Sequence, residues 1–295
     1  QQLQEIIAQN YNHPSVVMWG IFSRLWMRGD DVTPYLRRLN DTAHAMDRSR
    51  PTVACSDQNG GLNFITDLIV WRQDVGWRKG STDDVAVWRN QLQKNWSNLR
   101  SGVCYGGSGF IGHKSYTAQT APRSNWMPEE RQTRFHEEYV KNLQNDSLFW
   151  GTWINNMFDY GSARRPYGIN GEGLVTIDRR ERKDAYYLYR ALWNERKPTL
   201  HIVDKRRSLR DRNRQAFSVY SPFGALTLFV GADTVAMTQY AACQYRSDSV
   251  EIQGIVQVKA VAGEQCDSVT LRVGNVLKPK RQPVPRRTAG PQQTN

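Results

Sequence analysis

Long apolar runs are missing from this sequence. No stretch approaches the ~18 apolar residues that a membrane-spanning helix requires, so no membrane partner is expected. Cysteine is scarce as well. Cys55, Cys104, Cys243 and Cys266 are widely spaced, with no CxxC pair and no accompanying His spacing, which argues against a zinc site and a disulfide scaffold. Free thiols are the expectation, with no metal and no cofactor. The opening QQLQEIIAQN lacks the basic start and apolar stretch of a secretory leader, and reads as a helix from the middle of a longer protein. Any targeting segment would precede Gln1, so the sequence leaves the compartment open. The glycine-rich run Tyr105-Gly106-Gly107-Ser108-Gly109 lacks phosphate-loop spacing and reads as a turn.

Acidic residues are also in short supply: 28 Asp and Glu face 40 Lys and Arg, a formal charge of +12. Lys278, Lys280, Arg281, Arg286 and Arg287 carry five of those charges among Pro279, Pro283, Pro285 and Pro291, which describes a disordered basic tail over 277–295. Basic tails displace phosphate counterions. Without a helix–turn–helix, zinc finger or aromatic RNA-binding motif, however, no nucleic-acid partner is expected. What the chain does have is a core: 39% hydrophobic and 11% aromatic residues over 295 positions exclude a mainly disordered protein.

The first two-thirds alternates apolar runs with amphipathic stretches. Strands are expected at 16–22, 51–55, 67–71, 101–107 and 148–160. Helices are expected at 33–47, 85–96, 128–144 and 181–193; in the first, Tyr35, Leu36, Leu39 and Ala43 recur at helical spacing behind Thr33 and Pro34. That alternation implies parallel strands joined by crossovers, with function at their C-terminal ends. From about Pro198, runs such as QAFSVYS, ALTLFVG and SVTLRVG alternate with period two between turn residues, the pattern of a small antiparallel β-sandwich. The fold class is therefore α/β plus all-β. An eight-stranded barrel takes ~250 residues, and the first region yields only five strands.

The stretches NHPSVVMWGIF (12–22), GDDVTPYLRRLNDTAHAMDRSRPT (29–52), NFITDLIVW (63–71) and WGTWINNMFDYGSARRPYGINGEGLVTIDRRERKDAYYLYRALW (150–193) carry a resemblance. Together they resemble glycoside hydrolase family 2, of β-galactosidase and β-glucuronidase type. The resemblance implies a partial (β/α)8 TIM barrel, strands four to eight, over 1–197. It implies an Ig-like β-sandwich accessory domain over 198–276, and the absence of the barrel's first three strands.

Retaining glycosidases need two carboxylates ~5–5.5 Å apart. At the family's acid/base position, where an Asn-Glu pair is implied, this chain has Ser23 and Arg24; at the nucleophile position, before Tyr105-Gly106, it has Cys104. Arg72 and Asp74 precede Gly76 and Trp77, and Asn155 stands where the resemblance implies a sugar-walling Trp. The implied pocket residues are Ser23, Asp74, Trp77, Tyr105, Asn155 and Asp159, with Asp74 and Asp159 able to bond a sugar or pair with Arg24 or Arg72. A guanidinium cannot give and recover a proton near neutrality. The expectation is a chain inactive in glycoside hydrolysis that binds β-galactoside or β-glucuronide weakly at most.

Two other readings stay open. Cys104, with Arg24 nearby and His113 as base, would make a Cys/His nucleophilic site, against a bland reading of Cys104 as a thiol with no role. An interaction module would instead pair as a homodimer through exposed barrel edges. Trp71, Trp77, Trp126, Trp150 and Trp153 either stack on sugar rings or pack the barrel. Glu129/Glu130 and Glu137/Glu138 read as a solvated helix face or as members of intrahelical pairs, and His44 and His136 lack a metal-ligand pattern.

Overall fold

A computed structural model of the chain describes residues 1–25, 29, 31–58, 60–113, 126–163, 165 and 168–274. The basic tail expected at 277–295 lies outside the described residues. Five parallel strands, β1 (Trp19–Ser23), β2 (Thr52–Ser56), β3 (Leu68–Gln73), β4 (Ser101–Tyr105) and β5 (Phe149–Ile154), lie side by side in sequence order. Around them run α1 (Gln2–Asn10), α2 (Thr33–Met46), α3 (Asp84–Asn95), α4 (Glu129–Leu143) and α5 (Asp184–Trp193). Among the described residues β1 and β5 each pair on one side only, so the sheet is open.

Local chemistry accounts for these elements. Pro34 sits in the first turn of α2, where its missing N–H costs nothing, and Leu36 and Ala43 turn inward. The chain leaves α2 at Asp47, whose carboxylate accepts from the Trp19 indole N–H at 3.0 Å and from Arg50 Nη1 at 2.7 Å. Ile7 of α1 packs on Trp19 and Ala43, closing this corner of the fold.

Three strands are shorter than the sequence pattern suggests: the run 16–22 becomes a strand only from Trp19 to Ser23. The run 101–107 ends as a strand at Tyr105, and 148–160 ends at Ile154. Asn155 still donates its backbone N–H to Tyr105 at 2.8 Å, but beyond it the chain turns to pair with 172–175. Gly106 is what lets the two strand ends come so close, because a Cβ there would overlap the Asn155 carbonyl oxygen.

The main core lies between β4, α4 and α5 and is mostly aromatic: Tyr105, Phe135, Tyr139 and Tyr189, joined by Val103 and Leu188. Each such burial contributes roughly 1.5–3 kcal/mol. Tyr220, from the later region, completes it.

Beyond α5 the pairing changes character. One sheet has the order Met237–Ala241, Gln244–Ser247, Ser218–Tyr220, His201–Ile202. The other runs Asp233–Val235, Thr227–Val230, Ile255–Ala262, Gln265–Val273, Leu209–Arg210. Both sheets bury their faces in one cluster around Ile202, Val219, Leu228, Val258 and Leu271. The expected all-antiparallel pattern holds for both except at one edge, where Leu209–Arg210 runs parallel to Gln265–Val273. The two regions are fastened together by Asp184 of α5, which bonds His201 Nε2 at 2.8 Å and accepts the Asp204 N–H at 2.8 Å.

Candidate functional site

The C-terminal ends of the five strands bring together Ser23 and Arg24, Cys55 and Asp57, Arg72 and Asp74, Cys104, and Asn155. Register explains the central contact. Arg72 pairs with Cys104 across β3 and β4, so their side chains leave the sheet on one face, and Arg72 Nη1 donates to Cys104 Sγ at 3.4 Å. With the Asn155 amide oxygen turned toward β3, Arg72 Nη2 and Nη1 donate to it at 2.7 and 3.2 Å. Arg24 sits just past β1 with φ 48, in the left-handed region that a non-glycine residue adopts only when held there. It is held by its backbone N–H, which bonds the Cys55 carbonyl at 3.3 Å, and by its guanidinium, 2.6 Å from Asp74 Oδ2. Asp57 lies 3.9 Å from Arg24 Nε, and Asp74 also lies 3.6 Å from Arg78.

Cys104 and Cys55 are both shifted by this arrangement, in opposite directions. A hydrogen bond from the Cys55 thiol is the largest influence; burial opposes ionisation, and the Arg72 and Arg24 guanidiniums favour it, leaving the Cys104 thiol lowered to about 6. Cys55 moves the other way, raised by the same hydrogen bond and by burial, while the Ser23 hydroxyl bonds to it.

Several residues expected in the pocket stand elsewhere. Trp77 is 2% exposed, edge-on to Phe135 and capped by the Arg131 guanidinium at 4.3 Å, so it packs the core. Tyr105 is 1% exposed, stacked on Tyr139 at 4.2 Å, and its hydroxyl accepts from Tyr189 at 3.1 Å. Strand alternation decides this: where Cys104 faces the mouth, Tyr105 must face inward. Asp159 is buried and accepts from Lys183 Nζ at 2.8 Å and from the Gly173 N–H at 2.8 Å, a structural ion pair rather than a sugar contact. Burial still raises its pKa against the attraction of Lys183.

His113 is engaged away from the thiol. Its Nδ1 accepts the Met127 N–H at 3.1 Å, its ring stacks on Trp126 at 4.2 Å, and burial lowers its pKa. Of the other tryptophans, Trp71 is core, while Trp150 and Trp153 meet edge to face at 5.0 Å over Gly102. Neither glutamate doublet is simply a solvated face, although Glu138 does make an intrahelical pair with Lys141 at 3.5 Å. Glu129 accepts the Asp184 N–H at 2.8 Å and pairs with Arg206 at 2.7 Å, and Glu137 accepts from the Tyr220 hydroxyl at 2.6 Å.

One carboxylate near the mouth was not singled out by sequence reasoning. Glu172 is 3% exposed and lies 3.1 Å from Arg78 and 3.3 Å from Arg165. Its signal in the sequence is a glutamate between Gly171 and Gly173, the latter with no room for a side chain beside Phe158 and Asp159. Among the described residues no three His, Cys, Asp or Glu side chains are grouped to hold a metal, and no helix is long and apolar enough to cross a membrane. A separate cleft of about 610 Å³ lies between α4 and the later sheets, lined in part by Glu137, Arg207, Arg210, Tyr240 and Arg246.

Residues 1–197 match the family model described as glycosyl hydrolases family 2, TIM barrel domain. A β-glucuronidase of Bacteroides fragilis is 36% identical over 92% of this chain and 39% of its own length. A β-galactosidase of Thermoanaerobacterium thermosulfurigenes is 36% identical over 65% of this chain and 25% of its own. The crystal structure of an FMN-binding β-glucuronidase from Facaelibacterium prausnitzii L2-6 superposes with a TM-score of 0.83 at 30% identity, covering 92% of this chain and 43% of that one. The chain thus spans about two-fifths of the length of the β-glucuronidases it matches.

Proposed function

The chain belongs to glycosyl hydrolase family 2, and from that membership and the altered strand ends we propose a relative of β-glucuronidases and β-galactosidases that does not hydrolyse glycosides. Residues 1–197 act as part of the family's barrel, strands four to eight. Residues 198–276 form an Ig-like accessory sandwich, a reading supported by two facing sheets around one core.

The observation that carries the proposal is the Arg24–Asp74 ion pair at 2.6 Å, which places a fixed cation at the family's acid/base position. A guanidinium held this way donates no proton to a leaving group. Loss of a general acid alone costs about 10²–10⁴ in rate. At the nucleophile position Cys104 offers sulfur in place of a carboxylate, so the usual covalent glycosyl intermediate has no oxygen to form on. Asp57, Asp74 and Glu172 do not substitute, because each faces an arginine within 4.0 Å. What remains is binding: Ser23, Asn155 and Asp74 offer hydroxyl, amide and carboxylate to a β-glucuronide or β-galactoside, with weak affinity.

The test compares release of chromogen from β-glucuronide and β-galactoside substrates by this chain and by its Arg24→Glu/Cys104→Glu variant. Silence from the first and measurable turnover from the second support the proposal. Turnover by the unsubstituted chain contradicts it.

A further inference from the structure

Cys104 and Cys55 are more than two scattered thiols. They stand on β4 and β2, separated by β3, with their side chains on the same face of the sheet. Neighbouring strands lie ~4.8 Å apart, which puts the two backbones roughly 9–10 Å from each other. Disulfides need Cα atoms within about 7 Å. The pair is therefore close enough for one sulfur to support the other's charge, yet spaced against closing on it.

The groups facing Cys104 come from each neighbouring strand. Cys55 contributes a thiol from β2, Arg72 a guanidinium from β3, and Arg24 a second from beyond β1, with Asp74 set against Arg24. Arg72 differs from the other arginines of the mouth. Arg24, Arg78 and Arg165 each pair with a carboxylate. Among the described residues Arg72 has no such ion pair; its bonds go to Cys104 Sγ and Asn155, and its Nε is buried without a partner. Both Cys104 and Cys55 are partly exposed.

We propose that Cys104 is a modification site for soft carbon electrophiles that carry a carboxylate, with Arg72 receiving the carboxylate and Cys104 Sγ attacking the carbon. With an α-halo acid the balance is simple. The thiolate lone pair forms the C–S bond and the halide departs with the bonding pair, the thiol proton having passed to water beforehand. This inference rests on the contacts of Cys104 and Arg72, not on the loss of hydrolysis: a chain that turned over glycosides would leave it standing.

The test alkylates the full chain with iodoacetate or iodoacetamide and follows each cysteine by peptide mass analysis, with exposed Cys266 as internal reference. Taking the ratio of the two reagents at one cysteine cancels access to the sulfur. The iodoacetate-to-iodoacetamide ratio at Cys104 should exceed that at Cys266 about tenfold, the effect of one partly screened cation near the reagent's charge. Arg72→Gln should return the ratio to within about twofold of Cys266. In the unsubstituted chain, labelling of Cys104 should rise through a midpoint near 6, whereas an ordinary thiol rises near 8.5. Equal ratios at the two cysteines, or Cys266 labelled while Cys104 stays untouched, would overturn the proposal. So would a Cys55–Cys104 disulfide in peroxide-treated protein, since the geometry would then not hold the thiols apart.

Discussion

Two faces of one strand make the sharpest contrast in this molecule. On β4, Tyr105 looks inward to Tyr139, Phe135 and Tyr189, a cluster tied by ring contacts and a hydroxyl chain. One residue earlier, Cys104 looks out at arginines and another thiol. The inward face carries the aromatic residues that pack the main core, while the outward face carries sulfur and guanidinium. Packing and chemistry are read from alternate residues of the same strand, so one can change without the other.

That contrast can be broken first where it should cost most. Phe135→Ala empties the aromatic layer and should lower stability by about 3–5 kcal/mol in urea unfolding, whereas Cys104→Ala, on the outward face, should shift the midpoint far less. A midpoint shift at Cys104 as large as that at Phe135 would dissolve the distinction. Next comes the buried ion pair. Removing the amine with Lys183→Met leaves Asp159 charged in the interior and should cost about 3–5 kcal/mol, recovered in part by the double change with Asp159→Leu. Additive losses in the double variant would contradict the pairing.

A third prediction concerns the seam between the regions. Burial pushes Glu137 up to about 7 from 4.5, against the Tyr220 hydroxyl and Arg246, with Asp184 and Glu138 adding repulsion. Because the folded pKa lies above the unfolded one, the stability contributed by neutral Glu137 is complete below about 4.5 and is lost as pH rises through about 7. The melting temperature of Glu137→Gln relative to the unsubstituted chain should therefore climb across that window and level off above it. A flat difference would rule out this titration. The smallest effect belongs to Arg24→Ala, whose partly exposed ion pair is worth within about 1 kcal/mol, so thermal melts should barely move.

How far the sequence could be read follows the same division. VVMWGIF and DLIVW announce strands because buried parallel strands are continuously apolar, and α2 announces itself through its periodicity and Pro34. Side-chain destinations were harder. Glu129 and Glu137 look like an exposed helix face until the later sheets cover α4, a contact between residues 77 or 83 positions apart in the chain. Trp77 looks like a sugar platform, and only Phe135 and Arg131 around it place it in the core. Glu172 escaped notice because nothing local distinguishes it except its glycine neighbours. Arg24 and Cys104 stand out in the sequence because each lies at the end of an apolar strand run; that Arg24 meets Asp74 and Cys104 meets Arg72 depends on sheet register, which no single stretch of sequence records.

The most direct measurement is a long incubation of the unsubstituted chain, at high concentration, with a chromogenic β-glucuronide. The account predicts release no faster than the protein-free blank. Release above the blank that disappears in Asp74→Asn or Glu172→Gln would contradict it, and would mean that a carboxylate beside Arg24 or Arg78 carries the chemistry.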